Sequence, residues 1–371
     1  MRSSPGRSPP VTSSSRFLLP LLCTALLGIQ ASAATLDEPL ATFVRDTGFN
    51  GVILVARGGT VLHHQAYGHA DLEAGTPTTQ GTRYELGSVS KFVASLVALK
   101  LVDEGKLSLS RPVVEVLPTY RPDTGARLTL HHLLSHTSGL PNDVIRAFRK
   151  DPELARQTLP LDEAVTRYAS GDLQFEPGSR FDYAHPNWIL VKALIEKASG
   201  RSYAENVRAL LAPLKLKDTG TFAGDFTDVP SSARGYEALQ PVPKRKSVPM
   251  PEFMMCAGGA YSTAKDLLTL TRALSQRKLL SAASLKHLST VYVAEEGYAY
   301  GGRLRSMSLG GKERPVLWLS GSNGPFKLRL SRSAADDLTV ILLSNTNADL
   351  GRMGDVSEAL LQALAAKPPR G

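Results

Sequence analysis

Apolar residues recur along this chain with two periods, and the changes between them outline its elements. Leu36 to Phe49 places apolar residues at helical spacing and reads as an amphipathic helix. Gly51 to Arg57 and Thr60 to Tyr67 are β-rich runs on either side of Gly58-Gly59, the pattern of a hairpin. Ser88 to Glu104 is a long apolar helix stopped by Gly105. From about 107 to 250 the chain reads as helical segments cut by Pro and Gly, among them Asn187 to Ala198 and Tyr203 to Leu211. The stretch from Thr221 to Phe253 is loop-like, with five prolines. Helical spacing returns from about Thr263 to Ser275. Strand patterns follow at Tyr298 to Leu304, Val316 to Leu319, Phe326 to Leu330 and Leu338 to Leu343, and Asp355 to Ala365 reads as a last helix.

Strands at both ends with helices between them point to an α/β fold of the α+β type. One α/β part is expected from about 36–106 and 254–371, with a helical region, about 107–253, inserted between. The short links among the last strands call for antiparallel pairing, so the sheet should be antiparallel and flanked by helices.

The 371 residues are 42% apolar, enough for a substantial core, and 21% charged, as in an ordinary globular enzyme. Residues 1–33 stand apart. Arg2, Arg7 and Arg16 precede an apolar run from Phe17 to Ile29, and Ala31-Ser32-Ala33 supplies small residues for cleavage. That order describes a secretory signal peptide, leaving residues 34–371 as an exported protein of the periplasm or the extracellular space. The apolar run is short for a membrane anchor, and Cys23 lacks the small residues of a lipoprotein site beside it. No later stretch is long and apolar enough to span a membrane. The formal charge is +9, three of it in the leader. The one dense basic run, Lys244-Arg245-Lys246, has no interleaved aromatics, so nucleic acid is not expected as a partner. Cys256, alone after the leader, lies among apolar residues and reads as a buried inert thiol.

Chemistry concentrates first at Glu85-Leu86-Gly87-Ser88-Val89-Ser90-Lys91. Ser88 stands where an extended segment meets a helix, a place favourable to developing negative charge. Lys91 follows one turn later on the same face. A serine hydroxyl is a weak nucleophile that needs a base beside it, and burial helps a lysine give up its proton to become one. Val89, Phe92, Val93, Leu96 and Val97 wrap this lysine. The same Ser-x-x-Lys spacing at Ser262 to Lys265 and Ser275 to Lys278 lacks that wrapping, and Thr263 with Asp266 there matches a helix cap.

Further blocks follow: His132-Leu133-Leu134-Ser135-His136-Thr137-Ser138-Gly139-Leu140-Pro141, Pro177-Gly178 through Tyr183, Ala257-Gly258-Gly259-Ala260-Tyr261-Ser262-Thr263-Ala264, and Leu319-Ser320-Gly321-Ser322-Asn323-Gly324. With Glu85 to Lys91 they make five blocks in order, and the chain from about 36 to 365 resembles the penicillin-recognising serine hydrolases. The resemblance is to the branch of class C β-lactamases, D-alanyl-D-alanine carboxypeptidases and esterases. It implies a β-lactamase-like fold and assigns Ser88 as nucleophile, Lys91 as base and Tyr183 as proton shuttle. It also implies an oxyanion hole from the backbone amides of Ser88 and Ser322, with His185, Leu319, Ser320 and Gly321 against the substrate.

Two positions depart from the family pattern. His185 stands where Asn is usual, and a neutral imidazole still offers one donor and one acceptor. Leu319 stands where Lys or His is usual, which removes a cation that would hold a substrate carboxylate, a loss of about 1.5–3 kcal/mol. Lys327, next to Phe326 on a strand, is expected to face the other way as a surface charge. His131, His132 and His136 lack the Glu and Cys of a zinc pattern, so no metal is expected, and no cofactor. The reading is a serine hydrolase working through an acyl-enzyme on a small or peptide-like ester or amide. The alternative is a non-catalytic binding protein that keeps the cleft.

Overall fold

The computed structural model describes residues 36–366 together with Met1. The leader expected at 1–33 lies outside the described residues, apart from Met1. A helix over residues 36–47 (α1) leads into a six-stranded antiparallel sheet. Its strands are β1 (Gly51–Arg57), β2 (Thr60–Tyr67), β3 (Arg303–Leu309), β4 (Lys312–Asn323), β5 (Phe326–Ser333) and β6 (Leu338–Ser344). Their spatial order is β3-β4-β5-β6-β1-β2, and β1 pairs with β6 from Gly51↔Ser344 to Arg57↔Leu338. Early and late strands of the described residues therefore share one sheet.

Alternation along the strands sorts the core into two layers. Val52, Leu54, Leu319, Leu328, Leu330, Ile341 and Leu343 face one way, into the main core. Ile53, Val55, Val316, Trp318, Val340 and Leu342 face the other, under α1 and the last helix, Leu350–Ala365. The main core is centred on a helix that is buried almost all round (α2, Ser90–Asp103), with eleven of its fourteen residues buried. A second buried helix (α3, Pro186–Ser199) packs on it, opened by Pro186 and closed by Gly200 in the left-handed region at φ +68°.

Some boundaries move. The strand expected at Tyr298 to Leu304 begins only at Arg303. A Cβ on Gly301 would lie 2.6 Å from the carbonyl oxygen of Lys91, and its φ is +72°. This segment is therefore a turn pressed on the first turn of α2 and not a strand. β4 runs twelve residues, far beyond the four apolar ones, because pairing on both neighbours carries it through its polar ends.

Candidate active site

Ser88 lies in a single turn of 3-10 helix, Gly87–Val89, at the head of α2. Just before it, Glu85 pairs with Tyr261 in a small three-stranded sheet, and the Leu86 amide donates to Ala260 O at 2.9 Å. Two glycines let this turn touch the end of β4. Gly87 has φ +51°, and a Cβ there would lie 2.6 Å from the carbonyl carbon of Ser322. A Cβ on Gly321 would lie 2.0 Å from Leu86 O. The backbone of Ser88 is thus brought beside that of Ser322. β3 pairs with β4 only as far as Trp318, so the outer edge of β4 from Leu319 onward lies beyond that register.

Lys91, in the first turn of α2, is 1% exposed. Its Nζ lies 3.4 Å from Ser88 Oγ and donates to Ala257 O at 2.7 Å, and neither partner is a carboxylate. The amine sits 5.0 Å from the centre of the Tyr183 ring. That ring stacks on His136 at 4.3 Å and 20°. His136 is fully buried: the Trp188 indole donates to its Nε2 at 3.0 Å, and the amide of Ala184 lies 3.1 Å from its Nδ1. Burial, then the neighbouring Lys91 amine, holds the His136 pKa well below the usual histidine range. In the sequence His136 stood out only as a member of the 132–141 block, the one signal available for it.

His185 precedes Pro186 at the head of α3. Its amide donates to Asn142 Oδ1 at 3.1 Å, and its Nδ1 is 3.5 Å from Asn142 Nδ2. Burial first, and Lys91 second, bring its pKa down to about 3, so the ring is neutral at ordinary pH. Beside Ser88 lies a cavity of about 160 Å³. Ile145, Phe148, Met250 and Met254 give it apolar walls, and His185, Ser322 and Asn323 give it polar ones. Val248 to Pro251, from the proline-rich stretch, close one side.

Three expectations at this site are corrected. Leu319 is buried in the main core, and its side chain meets the position a Gly302 Cβ would take, 2.5 Å away, so it is not among the residues that line the cavity beside Ser88. Ser320 faces the opposite side of the sheet, with Trp318, where its hydroxyl accepts from the Arg329 guanidinium. A second arm of Arg329 donates to Leu350 O at 2.8 Å. Strand alternation makes it impossible for Leu319 and Ser320 to share a face. Lys327 is half-buried and not a free surface charge: it donates to Ser322 Oγ at 2.9 Å and to Gly324 O. Gly321 is the crossing point with Leu86. The two other Ser-x-x-Lys lysines, Lys265 and Lys278, are exposed, and Thr263 caps its helix by accepting from the Asp266 amide at 3.2 Å. His131 turns to Tyr300 (2.7 Å), away from His136, because the helix Leu130–Leu134 ends before His136. Cys256 is buried, and burial pushes its thiol pKa up.

The family model for beta-lactamase matches residues 36–365. This chain belongs to the beta-lactamase family. Among curated relatives of this beta-lactamase-family chain, esterase EstB of Burkholderia gladioli is 35% identical over 59% of this chain and 59% of its own length. Penicillin-binding protein 4* of Bacillus subtilis is 27% identical over 85% of this chain and 71% of its own. The match thus spans less than two thirds of the esterase. A penicillin-binding protein homologue from Pyrococcus abyssi superposes with a TM-score of 0.75 at 26% identity, over 91% of this chain and 78% of that one. No helix among the described residues is long and apolar enough to cross a membrane.

Proposed function

We propose that this protein is an exported serine hydrolase that cleaves an ester or amide through an acyl-enzyme at Ser88. The observation that carries the reading is a buried amine, Lys91 Nζ, 3.4 Å from Ser88 Oγ, with no carboxylate among its hydrogen-bond partners in the described residues. Ser88 Oγ attacks the substrate carbonyl carbon and its proton passes to Lys91. The carbonyl oxygen becomes an oxyanion between the amides of Ser88 and Ser322, whose backbones meet at Gly87. Collapse breaks the bond to the leaving group, which takes a proton by way of Tyr183. Water then attacks the acyl carbon, gives up its proton to the same pair, and frees Ser88. The turn of 36–106, the Tyr183 segment of 107–253 and the β4 end of 254–371 each bring a part of this machinery, so one hydrolase domain is the proposed unit. Export rests on the pattern in residues 1–33.

The apolar walls of the cavity, and a buried leucine at 319 that brings no cation to the site, support substrates without a carboxylate beside the scissile bond. The match to an esterase agrees with that, and the match to penicillin-binding proteins keeps amides within range. The test is covalent labelling of the purified chain by a fluorophosphonate probe. Wild type should label at one site, and Ser88→Ala should not label at all. Lys91→Ala should slow labelling by about a hundredfold or more, within the range for general base loss. A folded wild type that no acylating or phosphonylating probe modifies would be a binding protein that keeps the cleft.

A further inference from the structure

Glu85 has no part in the steps above, yet it is the carboxyl group nearest in sequence to the nucleophile. It is 2% exposed, and its strand pairing with Tyr261 fixes its backbone three residues before Ser88. Asn323 Nδ2 donates to its Oε2. The same Nδ2 lies 3.4 Å from Val248 O, in the segment that closes the cavity. Asn323 directly follows Ser322. One buried carboxyl therefore joins the nucleophile turn, the end of β4 and, through Asn323, the cavity wall.

We propose that Glu85 is a positioning residue: through Asn323 it holds the end of β4, and with it the Ser322 amide, against the nucleophile turn. The inference rests on the oxyanion hole proposed above. A carboxylate buried beside that hole would oppose the negative charge that develops there, so the arrangement works with Glu85 uncharged. Its surroundings keep it so. Burial is the main cause, and nearby Asp225 adds to it, bringing the Glu85 pKa up to about 8 despite the Asn323 hydrogen bond. The charged groups around it are engaged elsewhere. Asp225 accepts from Ser247 and lies 3.9 Å from Arg156, Lys327 is turned to Ser322 and Gly324, and Lys246 is paired with Glu237. On its own segment Arg83 pairs with Asp218 at 2.8 Å.

The experiment is the rate of fluorophosphonate labelling of Ser88 from pH 6 to 10, in wild type, Glu85→Gln and Glu85→Ala, with thermal unfolding recorded alongside. Wild type should lose rate on an alkaline limb with its midpoint near the Glu85 pKa of about 8. Glu85→Gln keeps a neutral acceptor for Asn323, so it should label within about threefold of wild type at neutral pH and lack that limb. Glu85→Ala should be slower by about ten- to a hundredfold throughout, the scale of a misplaced oxyanion donor. A labelled wild type whose alkaline limb persists in Glu85→Gln overturns the inference, as does Glu85→Ala at wild-type rate. If Glu85→Ala fails to fold, the Gln profile alone decides. Absence of labelling in the wild type fails the hydrolase reading instead, and this inference falls with it.

Discussion

A neutral imidazole can stand in for an amide at position 185, because each carries one donor and one acceptor in reach of a cleft. His185 is kept neutral by burial, and Asn142 orients it through its amide. Replacement by Asn should therefore leave labelling within about threefold of wild type, whereas His185→Phe should slow it by tenfold or more, since both polar functions go. The substitution also has a stability signature. The folded-state pKa is about 3 against an ordinary 6.5, so between those values the unfolded chain binds more protons than the folded one. That part of the stability is present above pH 6.5 and is lost as pH falls towards 3. Melting temperatures of His185→Asn should fall less steeply over that window. At this scale the sequence was readable where a residue's neighbours in the chain are also its neighbours in space. Lys91 is wrapped by its own helix, and its burial could be read from Val89 to Val97. Ser320 could not be read that way, because its partner, Arg329, is a cross-strand neighbour.

The element that sets the site is a crossing of two backbones, the 86–88 turn over the 321–322 strand end. Neither glycine at the crossing can carry a side chain without moving an atom of the other segment. Gly321→Ala would drive a methyl into Leu86 O, and relief means separating the turn from the strand. We expect a stability loss of about 1–3 kcal/mol, as for overpacking. We also expect labelling slower by about a hundredfold, as for a displaced catalytic group. A melting temperature near wild type together with an unchanged labelling rate would show that the crossing does not govern the site. Gly301 acts alike at the other end of the site, where it lets a turn press on the Lys91 carbonyl. In the sequence Tyr298 to Leu304 alternated well enough to pass for a strand; what decided otherwise was the helix beneath it.

Over the whole molecule, one sheet separates two cores with different duties. The main core holds α2, α3 and the site, and the other core closes the far face of the sheet with α1 and the last helix. Trp318 belongs to the far core, with the guanidinium groups of Arg329 and Arg305 at 4.4 and 4.7 Å from its ring. Trp318→Ala should destabilise the fold by about 3–5 kcal/mol, the usual cost of truncating a buried aromatic. Labelling measured well below the melting temperature should stay near the wild-type rate, because the sheet stands between this side chain and Ser88. A selective loss of labelling in a stable Trp318→Ala protein would mean the two faces are coupled.

The chain order of apolar positions was enough to announce helices, strands and a sheet shared by both termini, since those follow from local spacing and from which faces need covering. Ser88 and Lys91, one helical turn apart, were equally plain, because a helix fixes the distance between residues three apart. Which distant groups meet them was settled by folding alone. The meeting of Gly87 with Ser322 and of Gly321 with Leu86, the Tyr183 ring on His136, the core position of Leu319 and the Glu85–Asn323 bond all join segments tens to hundreds of residues apart. Such contacts depend on strand register and on the packing of α2 against the sheet, which no local pattern encodes.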